Sequence, residues 1–318
     1  MSAAMPRLFH HREFADVGEL MAQKQGVSIA LVIPTLNEEE TIGEIVTVLR
    51  EALIEKMPLL DRIVVVDSGS SDSTVAKARD AGAEVIVASE VLPELGAAKG
   101  KGENLYKATH AVEAEILCFL DGDIRKIHPR FVLGLVGPLL LHPALQFVKA
   151  FYDRPSQRGS QASVTGEEGE RPQGGGRVTE ILVRPLFSLF RPELSSIIQP
   201  LAGEYAARRC LLHELSFPVG YGVEMAHLLD ISSRFGLEVM GQCDLEERIH
   251  RHHGTADLGR MAFAILQVFL RRLPKSAFSE IPLSDLYRSF VIKEGIYEEV
   301  VEQIEELERP PLASLLLG

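Results

Sequence analysis

The chain has 318 residues, 46% hydrophobic and 25% charged, enough for one large domain with a full core and too balanced for wholesale disorder. A formal net charge of −12 excludes a nonspecific nucleic-acid binder, which needs a basic surface, but leaves room for phosphorylated ligands held by local basic clusters and metal ions. Cys118, Cys210 and Cys243 lie far apart with no Cys-x-x-Cys pair, so they read as reduced thiols of a cytoplasmic protein, not a disulfide framework or zinc site.

Residues 1–27 mix charged and apolar side chains without the apolar stretch of a signal peptide. No apolar run approaches the ~20 residues that span a bilayer, and the run 131–141 is short and interrupted by Pro138, so no membrane segment is expected. Residues 28–33 read as a buried strand ended by Pro34. Asn37 stands three residues before Glu40, a capping-box spacing, ahead of Ile42, Ile45, Val46, Leu49 and Leu53 at helical period. A second strand is predicted at 62–66, a helix at 72–81 and a third strand at 84–87. A helix at 101–112, a fourth strand at 116–120 and a fifth at 146–152 follow. This alternation predicts a doubly wound α/β sheet.

From 153 to 176 periodicity disappears and Gly, Ser, Gln and Glu dominate, which predicts a long functional loop. Helical signals resume at 178–189, 223–234 and 258–273, with a strand at 237–242. Residues 287–307 read as a charged amphipathic helix before Pro310 and Pro311, with Glu298, Glu299, Glu302, Glu305 and Glu306 as a solvated acidic face.

Three predicted strands end in polar groups: Pro34-Thr-Leu-Asn-Glu-Glu39, Asp67-Ser-Gly-Ser70 and Asp121-Gly-Asp123. Singly, Asn37 and Asp72 are ordinary helix caps and Asp67 an ordinary turn residue. Together they point to one polar site, because ligands of open α/β sheets bind beyond the carboxyl ends of the strands. Carboxylates at positions 121 and 123 can grip a hard divalent cation that keeps positions open for phosphate oxygens. Residues 96–102 resemble a phosphate loop but lack its ending, since Glu103 follows Gly102; no Gly-x-Gly-x-x-Gly follows the first strand, which argues against a nicotinamide dehydrogenase. Lys101, on a glycine turn before a helix, remains a candidate nucleotide contact, with plain solvent exposure as the alternative. Gly174-Gly-Gly-Arg-Val-Thr-Glu180 offers converging backbone amides and the Arg177 fork to an anion; a flexible linker is the alternative. If the run after Glu246 is strand-like, Arg248, His250 and His252 share one side and His250 completes an ion shell begun by Asp123; otherwise it is a polar surface turn.

These motifs, with Gly100-Lys-Gly-Glu103, Pro200-Leu-Ala-Gly-Glu-Tyr205, Gly220-Tyr-Gly-Val-Glu224 and Arg248-Ile-His250, occur in the order that marks one family. From about residue 27 to 271 the chain resembles the actinobacterial glucosyl-3-phosphoglycerate synthases and their mannosyl-3-phosphoglycerate-making relatives. The resemblance implies a GT-A fold: an open, mostly parallel nucleotide-binding sheet flanked by helices, with a helical C-terminal extension. It implies a retaining transferase that uses Mg2+ or Mn2+ and moves glucose or mannose from UDP-glucose, GDP-glucose or GDP-mannose to 3-phosphoglycerate. It also implies a homodimer. The chain then divides into an N-terminal segment (1–27), a nucleotide-sugar-binding α/β domain (28–150), an acceptor-binding and metal-completing part of the same domain (151–275) and the extension (276–318).

By the same resemblance Pro34, Thr35, Leu36, Glu38, Ser68 and Lys101 hold the base and ribose, and Gly122 and Asp123 line the donor site. Asp123 and His250 bind the metal, and Arg248 sits beside the diphosphate. Leu201, Tyr221 and Glu224 face the donor sugar, with Glu224 and Arg248 as the catalytic candidates. Gly176, Arg177, Val178, Thr179 and His252 receive the acceptor. Two positions depart from the family: Gly122 stands where relatives usually carry Ser, and His252 where they carry Asn. No residue announces itself as a nucleophile, so same-face attack is expected, with Glu224 on sugar hydroxyls. No sequence feature enforces one donor. The rival readings are a non-catalytic nucleotide-sugar sensor and a transferase acting on a lipid phosphate or polysaccharide.

Overall fold

The structure, a computed structural model, describes residues 5–96, 98, 100–153, 176–248, 255–274, 284–293 and 296–315. The strands in chain order are β1 (Arg7–His10), β2 (Ile29–Thr35), β3 (Arg62–Asp67), β4 (Glu84–Val87), β5 (Ile116–Phe119), β6 (Phe147–Asp153), β7 (Tyr205–Arg208), β8 (Phe217–Pro218) and β9 (Met240–Glu247). All but β8 form one eight-stranded sheet, ordered β1-β9-β6-β7-β5-β2-β3-β4. Its pairings are parallel except those of β7, which runs against both β5 and β6.

The strands read as unbroken apolar runs because both faces are covered. Along β2 and β3, Ile29, Leu31, Ile33, Ile63 and Val65 enter one core, and Ala30, Val32, Val64 and Val66 enter the other. The helices are α1 (Val17–Lys24), α2 (Ile42–Arg50), α3 (Thr74–Asp80), α4 (Lys101–Ala111), α5 (Arg130–Leu141), α6 (Arg184–Phe190), α7 (Arg209–His213), α8 (Val223–Arg234) and α9 (Thr255–Arg271). Residues of α1, α2 and α5 fill the first core, and residues of α4, α8 and α9 fill the second.

Several expectations are corrected. The N-terminal segment supplies edge strand β1 and helix α1, the latter capped by Asp16, which accepts from Glu19 N at 3.1 Å. Asn37 does not cap α2, which starts after Thr41; it sits at φ 58° and its Oδ1 accepts from Ser71 N at 2.9 Å. That carboxamide is used to join two loops instead. Helix α5 runs through Pro138. The helix expected at 178–189 opens with one wide turn, Thr179–Val183, before α6. The long loop lies almost wholly outside the described residues.

The largest correction concerns 287–307. It forms not an amphipathic helix but β10 (Leu286–Lys293) and β11 (Ile296–Gln303), an antiparallel hairpin, then β12 (Glu308–Arg309) paired with β8. The described part of the extension is thus largely β. The glutamates suggested a helical face, but Phe290, Val291, Ile292, Val300 and Val301 favour extended backbone, and two residues including Gly295 separate the runs. The hairpin lies against α9 through Tyr287 on Phe263, ring centres 5.5 Å apart, and through the fork of Arg260 on Glu302 at 2.6 Å. Glu306 is 4% exposed, not solvated. Among the described residues no helix is long and apolar enough to cross a membrane.

Helix α5 approaches Phe14 so closely that a Cβ on Gly137 would lie 2.5 Å from its ring. Gly137→Ala should cost about 1–3 kcal/mol by overpacking, outweighing the helix propensity that alanine adds. Urea unfolding checks this; a midpoint at or above the parent's would show that the ring moves aside freely.

Candidate active site

Strands β5, β2 and β3 are neighbours, so the three polar ends read from the sequence stand side by side. Asp67 organises the first two: its Oδ2 accepts from Gly69 N at 2.8 Å and Ser70 N at 2.9 Å, and its Oδ1 receives the Thr35 hydroxyl at 3.4 Å. Asn37 N donates to Ser70 Oγ at 2.9 Å and Glu38 N to Thr74 Oγ1 at 2.8 Å, stapling the loop after β2 to the turn after β3. The third end is drawn in by Thr41, whose hydroxyl donates to Gly122 O at 2.5 Å. A Cβ on Gly122 would lie 3.0 Å from Thr35 Cγ2 and 3.3 Å from Glu38 Cγ, so the missing side chain lets these loops touch. Ser68 Oγ accepts from the Asn104 amide, while Leu36 points outward at 53% exposure.

Beneath these loops lies a cluster of charges. Asp121 accepts from Lys101 Nζ on Oδ1 at 2.6 Å and from Arg248 Nη2 on Oδ2 at 3.0 Å. The same Nη2 reaches Asp123 Oδ1 at 2.7 Å, while Lys101 Nζ is 3.0 Å from Glu224 Oε1. Arg248 Nε stands 2.9 Å from Glu204 Oε1, an ion pair without hydrogen-bond alignment. Glu204 Oε2 accepts the Tyr152 hydroxyl at 2.6 Å, and Arg248 Nη1 donates to that hydroxyl at 3.3 Å. Arg248 is 4% exposed and Glu204 wholly buried, which is tolerable only because each charge has an opposite neighbour.

Burial pushes the Glu204 carboxyl up, opposed by the Arg248 guanidinium. Burial also works against the Lys101 ammonium, but Asp121, Glu224 and Glu204 together hold it well above the ordinary lysine range. Lys149 donates to Ala202 O at 2.6 Å, and burial lowers it to about 8. His227, behind Tyr205, is held neutral by burial, which takes it down to about 3.

Asp123, Lys101, Glu224 and Arg248 are therefore brought into one cluster, with Thr35, Glu38 and Gly122 in the loops above it. Leu201 packs partly against the second core, and Tyr221 is 50% exposed just before α8. Gly176 adopts φ 78° and its carbonyl accepts from Glu180 N at 2.9 Å; Arg177 is exposed. Val178 and Thr179 are buried, so contacts from them to an acceptor would come through backbone. His250 and His252 lie outside the described residues. The glycine turn before α4 is engaged by protein: Gly102 N donates to Gly220 O at 3.3 Å and Glu103 N to Val219 O at 3.0 Å. Only the Lys101 side chain, not the start of α4, reaches the cluster.

Sequence reasoning missed Glu204, Tyr152, Lys149, Gly203 and Asn104 as site residues. Gly203 and Glu204 sat within the Pro200–Tyr205 motif and were legible there; Lys149, in an apolar strand, gave no signal. For a hard cation, Asp123 offers a carboxylate a quarter exposed whose Oδ2 has no hydrogen bond among the described residues. This donor suits Mg2+ or Mn2+. Among the described residues three ligand-type side chains converge at His10, His11 and Glu246. There Arg12 pairs with Glu246, and His10 Nδ1 accepts from Arg12 N at 3.2 Å, which leaves Nε2 of the neutral ring protonated and unable to ligate.

Residues 30–180 match the family described as glycosyl transferase family 2. The sheet and its acidic strand ends are those of a GT-A glycosyltransferase. Glucosyl-3-phosphoglycerate synthase of Petrotoga mobilis is 48% identical over 315 residues, covering 98% of this chain and 94% of the relative. The synthase of Mycobacterium tuberculosis H37Rv is 42% identical over 262 residues, covering 82% and 78%. A solved structure of the M. tuberculosis enzyme with Mn2+, UDP and phosphoglyceric acid superposes with TM-score 0.83 at 36% identity, covering 98% of this chain and 100% of that one. Mannosyl-3-phosphoglycerate synthase of Rubrobacter xylanophilus superposes with TM-score 0.86 at 34% identity, covering 97% and 96%. The chain belongs to the glucosyl-3-phosphoglycerate synthase family.

A Cβ on Gly203 would fall 2.1 Å from Lys101 Nζ and 2.5 Å from Asp121 Oδ2. Gly203→Ala should therefore separate this pair. Loss of a charge-assisted hydrogen bond worth about 1.5–3 kcal/mol corresponds to a roughly tenfold to hundredfold drop in kcat/KM. Initial rates on a variant that melts near the parent temperature test this; parental kcat/KM would dissociate the pair from activity.

Proposed function

We propose that this chain transfers a hexosyl group, with retention, from a nucleotide diphosphate sugar to 3-phosphoglycerate in a metal-dependent reaction. UDP-glucose is the leading donor; GDP-glucose and GDP-mannose are admitted as well. The carrying observation is the charge cluster beside the polar strand ends, in which Asp121 and Asp123 after β5 share Arg248 and Lys101 joins Asp121 to Glu224. Support comes from solved M. tuberculosis complexes holding Mn2+ with UDP-glucose, Mg2+ with UDP, and Mn2+ with UDP and phosphoglyceric acid. The mannosyl-transferring relative supports the wider donor range.

Asp123, with His250, would hold Mg2+ or Mn2+, and the ion supplies positive charge to the departing diphosphate. Lys101 and Arg248 fix the neighbouring carboxylates through ion pairs, so the site does not have to reorganise as charge develops. Arg248 has its fork occupied by Asp121, Asp123, Glu204 and Tyr152, and it influences the diphosphate through its field. Glu224 is buried and ion-paired with Lys101, which suits binding of sugar hydroxyls better than nucleophilic attack. In same-face attack the sugar–diphosphate bond breaks, the acceptor oxygen bonds to the same carbon, and the acceptor's hydroxyl proton passes to the leaving phosphate oxygen. Arg177 and the backbone after Gly176 would receive the acceptor's anionic groups. Cytoplasmic location, in keeping with three unpaired cysteines, and a homodimer belong to the same reading.

The test is a matrix of the three donors against 2- and 3-phosphoglycerate, with Mg2+, Mn2+ or chelator. Product is expected with 3-phosphoglycerate and metal, and Asp123→Ala should weaken Mn2+-supported UDP binding by roughly tenfold or more without lowering the melt. Absence of turnover from every pairing would favour the nucleotide-sugar sensor; turnover in chelator would remove the metal.

Arg177→Ala should raise the acceptor KM roughly tenfold to hundredfold and leave donor affinity nearly intact. Equal loss of donor affinity, read by calorimetry, would move Arg177 to the nucleotide half of the site.

A further inference from the structure

The sequence after the hairpin is built into the donor side of the site. Gln267 of α9 anchors it, its Oε1 accepting from Glu306 N at 3.1 Å and its Nε2 donating to Ile304 O at 2.8 Å. Val219 N then donates to Leu307 O at 2.9 Å, and β12 pairs with β8. The Glu306 carboxylate turns under residues 220–222, Oε2 accepting from Gly220 N at 3.1 Å and Oε1 from Gly222 N at 3.0 Å. A Cβ on Gly220 would lie 2.6 Å from both oxygens, so the strap leaves room only for glycine there; at Gly222 a Cβ would lie 2.4 Å from Val268 Cγ2 of α9 and 3.3 Å from Glu306 Oε1.

Three residues further on, Arg309 grips the other partner. Its Nε and Nη2 pair with the Glu103 carboxylate at 2.8 and 2.9 Å, and its Nη1 and Nη2 donate to Leu95 O at 2.6 Å and Gly96 O at 3.0 Å. The strap thus braces the turn leading into α8, which carries Tyr221 and Glu224, and the start of α4, which carries Lys101. Those two starts meet in the 3.0 Å Lys101–Glu224 pair.

We propose that Glu306 is a positioning residue for the donor-sugar side of the site, acting through the Gly220–Gly222 amides on Tyr221 and Glu224. This rests on the reading that those two residues face the sugar. A carboxylate suits the task because it accepts on both oxygens; glutamine would turn a donor toward one of the amides. Burial raises the Glu306 carboxyl, and the Gly222 and Gly220 amides pull it back.

The experiment compares Glu306→Gln, Glu308→Gln and Glu224→Gln by melt, UDP affinity and UDP-glucose kinetics. Glu308, on the same strap, pairs with Arg272 and does not touch the turn. Glu306→Gln should lose roughly tenfold to hundredfold in kcat while UDP affinity stays within about twofold of the parent. Glu308→Gln should lower the melt with parental kcat. If both strap variants lose kcat alike, assayed well below both melts, or if UDP affinity falls in step with kcat, Glu306 is merely structural and the proposal is overturned. If Glu306→Gln does not fold, Gly220→Ala, which pushes the carboxylate away, should show the same split; parental kcat there overturns it equally. Parental kcat in Glu224→Gln would sink the underlying sugar-facing reading, whereas loss in Glu224→Gln with parental kcat in Glu306→Gln would sink the positioning role alone.

Discussion

The carboxylate of Asp121, shared between the Lys101 ammonium and the Arg248 guanidinium, is the contact on which the rest of the site depends. It joins three parts of the chain that have no local reason to meet: the end of β5, the start of α4 and the residue after β9. Each cation brings further acids, Glu224 through Lys101 and Asp123 and Glu204 through Arg248. Charges this deeply buried persist only when every one has a partner. Asp121 is the shared member: without it Lys101 would keep only Glu224, and Arg248 only Asp123 and Glu204.

The reversed strand β7 makes this arrangement possible. In a wholly parallel sheet the residues before a strand lie at the edge opposite the ligand. Because β7 runs against β5, with Phe119 opposite Tyr205, the loop before β7 arrives at the same edge as Asp121. Glu204 and Gly203 thereby reach Arg248 and Lys101. The carbonyl of Ala202 in that loop is held by Lys149, buried on the neighbouring strand β6. The site is thus assembled from parallel strands that deliver their carboxyl ends and one antiparallel strand that delivers its start.

The C-terminal segment extends this logic beyond the sheet. A single short strap supplies backbone pairing to β8, a carboxylate to the turn before α8 and a guanidinium to the start of α4. It braces the turn before α8 and the start of α4, the two elements that meet in the Lys101–Glu224 pair. Arg272 adds a second tie through Asp230 of α8, with Nε 2.8 Å from Oδ1, and through Glu308. Helices α8 and α9 and the strap therefore hold one another.

What the sequence determined alone was whatever local chemistry dictates. Apolar runs at 28–33, 62–66 and 116–120 became adjacent strands because an unbroken apolar run is stable as a strand only when buried on both faces. Their polar ends marked the site because strand ends are where such a sheet opens to ligands. Ordered motifs carried the family. Only the tertiary structure decided the rest. It drew Asn37 away from α2 to Ser71, paired 287–307 as a hairpin on α9, and buried Glu306 although its neighbours are mostly acidic. It also chose which acids Arg248 would join. These outcomes follow from partners tens to hundreds of residues away, and local propensity, at a fraction of a kcal/mol per residue, yields to such pairing once packing and ion pairing favour it.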